Sequence, residues 1–375
     1  MKTILLILLI IVFFSYMSQR SSLNYQNWNP NIDGRKKIDI YLICVIIFMS
    51  LMAGLRLSYN DTEAYIIGFQ NSETIKAFLS NPENLTLTSN PLFYGIQSLV
   101  HTFTNNVNTF FLLCGFFQNI LIVRFIKRHS RIDCFVYSML FYVCLGMFMF
   151  SLAAQKQILA MAILTLALEK LFEKKYVTYY LIVIVAGLVH TYAFLFLFLP
   201  LFGKEIWNFR TYLLVFLTVF IMYTFQNSIE TLLEIADQIG KGIDEASVFG
   251  SGMNIFRVLV YGVVPVTSFL FKKRLSHLLN YEECVFVQMT ILSFMFMLLG
   301  SINGANMFGR SGYYFSLGYI CILPNLIKQL FNDQSAKIVL FITCISFILF
   351  FCYDASEFNY SYRYKRLIEY IGEVI

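Results

Sequence analysis

The stretch "GLRLSYNDTEAY" (54–65) sets an arginine, Arg56, and a carboxylate, Asp61, directly behind the apolar run 38–53. Further polar outliers border or interrupt apolar runs: Lys156 in "SLAAQKQILAMAI", His190 in "AGLVHTYAF", Arg257 in "MNIFRVLV" and Arg310 in "NGANMFGRSGYYF". Arg grips two phosphate oxygens at once, Lys supplies a point charge, and His titrates near neutral pH. These are the side chains needed to hold a phosphorylated ligand and move a proton beside it. At the end of a bilayer-crossing segment such cations meet phosphate at headgroup depth, so a lipid diphosphate suits them best. Glycines at 300, 304, 309 and 312 permit close backbone approach around Arg310.

Each residue also has an ordinary reading. Arg56, at a helix end, can snorkel to the headgroups. Asp61 can neutralise it, or cap a following helix with Thr62 and Glu63 in its first turn. His190, between apolar neighbours, can be a satisfied core histidine. Lys156 resists such a reading, because a cation at a helix start opposes the dipole and calls for an anion nearby. His129 and His277 belong to basic clusters and His101 ends a short apolar stretch, so His190 is the histidine of interest.

These residues must be positioned by membrane helices. The chain is 58% apolar and only 13% charged, with a mean hydropathy of +0.67, against about 25% charged in an ordinary globular domain. Aromatic residues make up 18%, with 40 Phe and 24 Tyr, which suits lipid-facing and interfacial positions. The eight cysteines lack the paired spacing of a zinc site or a secreted disulfide framework and read as small core residues. The +6 net charge is explained by cytoplasmic loops rather than by nucleic acid. The first apolar run lacks a small-residue cleavage site, so it is expected to be a retained span.

Polar punctuation cuts the chain into segments 4–17, 38–55, 107–126, 132–150, 153–172, 176–189, 191–203, 211–226, 254–271, 281–300, 312–327 and 337–353, with 91–103 left over as too short to span. Backbone amides in lipid must be bonded internally, so the segments are helices. The expected fold is an all-α integral membrane protein. It is a polytopic helical bundle of about 12 transmembrane helices plus a short re-entrant or interfacial segment, GT-C-like, in one domain over 1–375.

Orientation follows from the basic clusters "GRKK" (34–37), "RFIKRHSR" (124–131), "EKLFEKK" (169–175) and "FKKR" (271–274). All four are cytoplasmic only if 91–103 re-enters or lies on the surface and if 176–203 is two short helices broken near His190. That threading turns the acidic loop 227–252 outward, with Glu230, Glu234, Asp237, Asp244 and Glu245 against Lys241. It also gathers Arg56, Asp61, Lys156, His190, Arg257 and Arg310 at the outer face, although it was built from the inner clusters.

The segments "AGLRLSYNDTEAYIIGF", "QKQILAMAILTLALEKLFEKKYVTYYLIVIVAGLVHTYAFLFL" and "FGRSGYYFSLGYICILP" resemble the EpsG family of bacterial membrane proteins, related to polysaccharide repeat-unit polymerases of the Wzy type. The matching positions are Gly54, Leu55, Arg56, Asp61 and Tyr65, then Lys156 with Gln157, His190 with Thr191, and Arg310 with Tyr313 and Tyr314. Lys156 stands where the family usually has Arg, keeping the charge but not the planar fork.

The resemblance implies glycosyl transfer at the outer face of the bacterial cytoplasmic membrane. A glycan on undecaprenyl diphosphate passes to the nonreducing end of another lipid-linked repeat unit. Arg56, Lys156, Arg257 and Arg310 would hold the diphosphate leaving group, with Gln157, Tyr65 and Tyr313 lining the substrate site. His190, or else Asp61, would take the acceptor proton. No cofactor or metal is expected. The expected partners are the undecaprenyl-diphosphate-linked donor and acceptor, the bilayer, a flippase and a chain-length regulator. A glycan ligase would use the same cations. A membrane acyltransferase would need no outer arginines, and a flippase or transporter would carry its charges at mid-membrane depth.

Overall fold

The computed structural model describes residues 2–203, 205–224, 252–302, 305–357 and 363–374. The acidic residues expected in the outer loop, from Glu230 to Glu245, lie outside the described residues, as do Lys204 and Gly304. Backbone contacts divide the chain into two compact units, Met1–Phe194 with Pro324–Ile375 and Leu195–Leu323.

In the first unit, α1 runs over Lys2–Trp28 and α2 over Ile40–Gly54. Asp39, in extended backbone, starts α2 by accepting from the Leu42 amide at 2.9 Å. Beyond Gly54 the chain extends as β1 (Arg56–Ser58), followed by α3 (Thr62–Gln70) and α4 (Ile75–Ser80). The stretch left over from the spans is a helix, α5 (Pro91–Phe103). Next, α6 spans Val107–His129, capped by the Asn106 side chain on the Asn108 amide.

The expected span 132–150 is two helices, α7 (Phe135–Cys144) and α8 (Met147–Ala153), bent by 50°. Gly146 sits at the bend with φ of +74°, backbone that a side chain disfavours. Then come α9 (Gln155–Phe172) and α10 (Tyr176–Val189). The expected break near His190 is present: α10 stops and a 3-10 helix, Thr191–Phe202, follows.

Three helices of this unit set its ends. Asn108, at the start of α6, donates to the Gly54 carbonyl at 2.9 Å, while Lys127, near its finish, pairs with Asp39 at 2.9 Å. Thus α2 and α6 are antiparallel. Arg128 of α6 meets Glu169 of α9 at 3.2 Å, so α9 runs with α6 and against α2. One end therefore collects basic clusters 34–37, 124–131 and 169–175, and the other carries Arg56, Asn108 and Lys156. The cluster 124–131 lies largely in the last turns of α6 rather than in a loop, because cations there satisfy the helix dipole. Buried Lys127 shares Asp39 with the Ser18 hydroxyl.

Most other charges at that end are paired. Asp133 pairs with Arg131 and with Lys328; burial pushes its carboxyl up, and the two cations overcome this and hold it below the ordinary range. Lys175 and Lys170 hold exposed Glu173 down to about 2.

The second unit contains α11 (Phe209–Tyr223), α12 (Ile255–Leu270), α13 (Lys272–Leu278), α14 (Tyr281–Ile302) and α15 (Ala305–Tyr313). The expected span 312–327 is interrupted: Tyr314 and Phe315 donate back three residues, to Ser311 and Gly312, and α16 restarts as Ser316–Leu330. The unit boundary falls within α16, before Pro324. The chain then returns to the first unit through α17 (Asp333–Glu357), β2 (Arg363–Tyr364) and α18 (Leu367–Val374). β2 pairs antiparallel with β1.

Among the described residues, Thr3–Trp28, Val107–His129, Tyr281–Ile302 and Asp333–Ser356 are long and apolar enough to cross a bilayer. The spans become six if the bent pairs α7–α8 and α12–α13 each count as one, and four further apolar helices are shorter. Large apolar side chains such as Leu9, Phe13, Phe117, Phe341 and Leu349 point outward along these helices, the surface a protein presents to lipid. The chain is a helical membrane protein.

Candidate functional site

Arg56 is only 1% exposed. Gly54 makes its position possible, since a Cβ there would meet the Leu112 Cα of α6 at 2.7 Å. With α2 and α6 this close, the Arg56 guanidinium lies 3.7 Å over the Phe111 ring, a cation–π contact. Its Nη1 donates to the Ala53 carbonyl and its Nη2 to Gln155 Oε1, the latter at 2.6 Å. The Arg56 carbonyl accepts from Asn108 Nδ2 at 3.3 Å, and the Leu55 carbonyl accepts from the Lys365 amide at 2.7 Å.

Gln155 opens α9 and Lys156 follows it. The Lys156 amide, one of the orphan donors of a helix start, faces the Tyr65 hydroxyl at 3.5 Å. Its ammonium donates to the Tyr94 hydroxyl at 3.0 Å and sits 5.0 Å over that ring and 5.9 Å over Phe93. Aromatic faces and hydroxyls thus surround the cation that the helix dipole disfavours. Gln157, one residue on, is buried.

Phe93 and Tyr94 belong to α5, which begins at Asn90, held in the left-handed region with φ of +53°. Asn90 Oδ1 accepts from both the amide and the hydroxyl of Thr191, each at 3.2 Å. This clasp anchors the break after α10. There His190 is extended, with its ring edge-on to Tyr192 at 5.2 Å. The first unit therefore links Arg56, Lys156, Tyr65 and the His190–Thr191 break through Gln155, Tyr94 and Asn90. Asp61 precedes α3, the helix that carries Tyr65, but its carboxylate does not cap α3. The Thr62 hydroxyl instead donates to the Tyr59 carbonyl at 2.6 Å.

In the second unit, Asn254 caps α12 through the Phe256 amide at 2.9 Å, placing half-buried Arg257 in the first turn. Arg310 lies in the last turn of α15. The Tyr313 ring meets Tyr261 of α12 edge-on at 6.1 Å, so the helices bearing Arg257 and Arg310 come together. A Cβ on Gly309 would strike Met253, and Ser293 donates to the Gly312 carbonyl at 2.9 Å, the close approach expected of these glycines.

Gln155, Phe111, Asn108, Tyr94 and Asn90 are absent from the sequence reading. Two left a signal: Gln155 adjoins Lys156 at a helix start, and Asn90-Pro91 is a turn pair before a helix. The others contact the site only through packing that periodicity does not reveal.

The EpsG family model matches residues 39–371, whereas no curated protein and no solved structure matches the chain. With the match covering most of its length, this chain belongs to the EpsG family, a Wzy-like polymerase family.

Proposed function

We propose that the protein polymerises undecaprenyl-diphosphate-linked oligosaccharide repeat units at the outer face of the bacterial cytoplasmic membrane, for exopolysaccharide, capsule or O-antigen. The observation that carries this reading is the gathering of Arg56 and Lys156 at one end of the α2–α6–α9 trio, opposite three basic clusters. Positive clusters favour the cytoplasm, so the opposite end is the outer one. The reading takes the shorter apolar helices as crossing with the long ones, which gives about twelve spans in a GT-C-like bundle. A flippase supplying the repeats and a chain-length regulator are its partner proteins.

The chemical step is glycosyl transfer. The acceptor hydroxyl attacks the anomeric carbon of the donor glycan, the bond from that carbon to the diphosphate oxygen breaks, and the lipid diphosphate leaves. Negative charge grows on the departing oxygens, and fixed cations in a water-poor site stabilise it more as the bond breaks. Arg56 and Lys156 take this role in the first unit, and Arg257 and Arg310 engage diphosphate oxygens in the second. Gln157, Tyr65 and Tyr313 contact substrate. His190 accepts the hydroxyl proton, since its ordinary pKa lies near neutrality; Asp61 is the next candidate.

Purified protein supplied with synthetic lipid-linked repeats tests the reading. A ladder of polymer lengths with release of undecaprenyl diphosphate is expected. Transfer of a preformed glycan to a lipid or protein acceptor, without ladder formation, would replace polymerase with ligase. Substrate translocation without bond formation would indicate a flippase.

A further inference from the structure

A second site lies away from Arg56, in the groove between the polar end of α1 and the start of α2. Its cavity of about 460 Å³ is lined by Arg20, Ser21, Tyr25, Trp28, Lys37 and Tyr41, among others. The apolar run of α1, with Leu6, Leu9 and Phe13 turned outward, ends just before Arg20. The exposed Ile38 and Ile40 begin the next apolar run just after Lys37. Both helices thus pass from hydrocarbon to water at the groove, which sets it at headgroup depth.

The cations of that end divide into those with a carboxylate partner and those without. Lys127, Arg128, Arg131, Arg35, Lys170, Lys175 and Lys328 all have carboxylate partners. Among the described residues, Arg20 and Lys37 have none, nor do Lys36, Arg124 and Lys174, but of these five only Arg20 and Lys37 line the cavity. The Lys37 ammonium is nevertheless held in place, 3.1 Å from the Ser21 hydroxyl and 4.9 Å over the Tyr25 ring. Trp28 is 87% exposed at the rim. Two cations without carboxylate partners, tyrosines and an exposed tryptophan at the depth of the headgroups match one occupant.

We propose that this groove binds the phosphodiester headgroup of an anionic glycerophospholipid. Arg20 and Lys37 engage its charge, Trp28 and Tyr25 pack on its glycerol, and the outward apolar residues of α1 and α2 accompany its acyl chains.

Trp28 is a built-in reporter, because only two tryptophans are present. The full chain with Trp207→Phe is reconstituted with phosphatidylglycerol or phosphatidylcholine bearing brominated acyl chains, and Trp28 quenching is titrated. A preference for phosphatidylglycerol on the order of tenfold is expected from two interfacial cations. Arg20→Gln with Lys37→Gln should abolish that preference, whereas Arg35→Gln, whose cation already pairs with Asp33, should retain it. Equal quenching by the two lipids, or an unchanged preference in the double variant, overturns the proposal. Displacement by millimolar inorganic phosphate overturns it too, by showing a small-anion site. If Trp207→Phe impairs folding, phosphatidylglycerol retained per unmodified chain through detergent purification is weighed by mass spectrometry, and an identical count in the double variant is equally decisive. Because Arg20 and Lys37 lie outside the proposed polymerase site, loss of lipid preference with polymer ladders intact separates this proposal from that one.

Discussion

Arg56 of β1 donates from Nη2 to Gln155 Oε1 of α9 at 2.6 Å, although the two residues lie far apart in sequence. The second polar atom of that amide, Gln155 Nε2, is buried and has no hydrogen-bond partner. The bond to Gln155, together with that from Nη1 to the Ala53 carbonyl, sets the plane of the guanidinium over Phe111.

Gln155→Ala should misplace Arg56 without removing its charge. A hydrogen bond to a buried charge contributes about 1.5–3 kcal/mol, so polymer synthesis should fall by roughly tenfold to a hundredfold. Combined with Arg56→Lys, it should cost little beyond Arg56→Lys alone, because both act through one interaction. Additive losses in ladder-forming rate would show that Gln155 does not position Arg56.

Arg310→Lys keeps the charge but loses the planar fork, and should leave reduced polymer formation. Arg310→Ala should lower the rate by on the order of a hundredfold or more, the usual cost of removing a contact to developing charge. Unchanged ladders in both variants would return Arg310 to headgroup snorkelling.

His190→Gln preserves size and hydrogen bonding but cannot take a proton near neutrality. Lipid-linked single repeats should accumulate while donor binding and membrane insertion stay normal. Full-length ladders would remove His190 from proton transfer and bring Asp61 forward.

The Asn90–Thr191 clasp separates geometry from chemistry. Asn90→Gly keeps the left-handed backbone but removes the acceptor, whereas Asn90→Ala removes both. Each should reduce polymerisation, Ala more than Gly. The thermal midpoint should fall for both, and further for Ala by the equivalent of about 1 kcal/mol, the backbone strain that Gly avoids.

Sidedness is open to direct labelling. In a cysteine-free background, a cysteine at exposed Asn105, by the start of α6, should react with a membrane-impermeant thiol reagent in intact cells. A cysteine at exposed Lys174, at the basic end, should react only after lysis. The reverse pattern would place Arg56 and Lys156 at the cytoplasmic face.

Much of this organisation was legible in the sequence because charge is costly in lipid. Arg56, Lys156 and the His190 break stand out against apolar runs, and the basic clusters foretell which helix ends meet. Helix continuity was less legible. Hydropathy is an average over neighbouring residues, and the apolar neighbours of Gly146 and of Tyr314–Phe315 carry it through the bend and the interruption they mark. The supporting contacts were least legible. Asn108, Phe111 and Tyr94 act through α2–α6 and α5–α9 packing, which depends on pairs of residues distant in sequence. Asp61 shows the limit of local rules, since it occupies a cap position without making the cap bond.

The pairing of β1 with β2 has a consequence in time. Residues 363–364 supply the partner strand for Arg56, Lys365 bonds the Leu55 carbonyl, and Tyr370 meets Thr109 at 3.0 Å. During synthesis, the second helix and its arginine enter the membrane while most of the chain is still unmade. Their flank is closed only by residues that leave the ribosome long after them. Until β2 is made, the strand at Arg56 has an unpaired edge, and a chain stopped short of β2 holds the same cations in a site left open on that side.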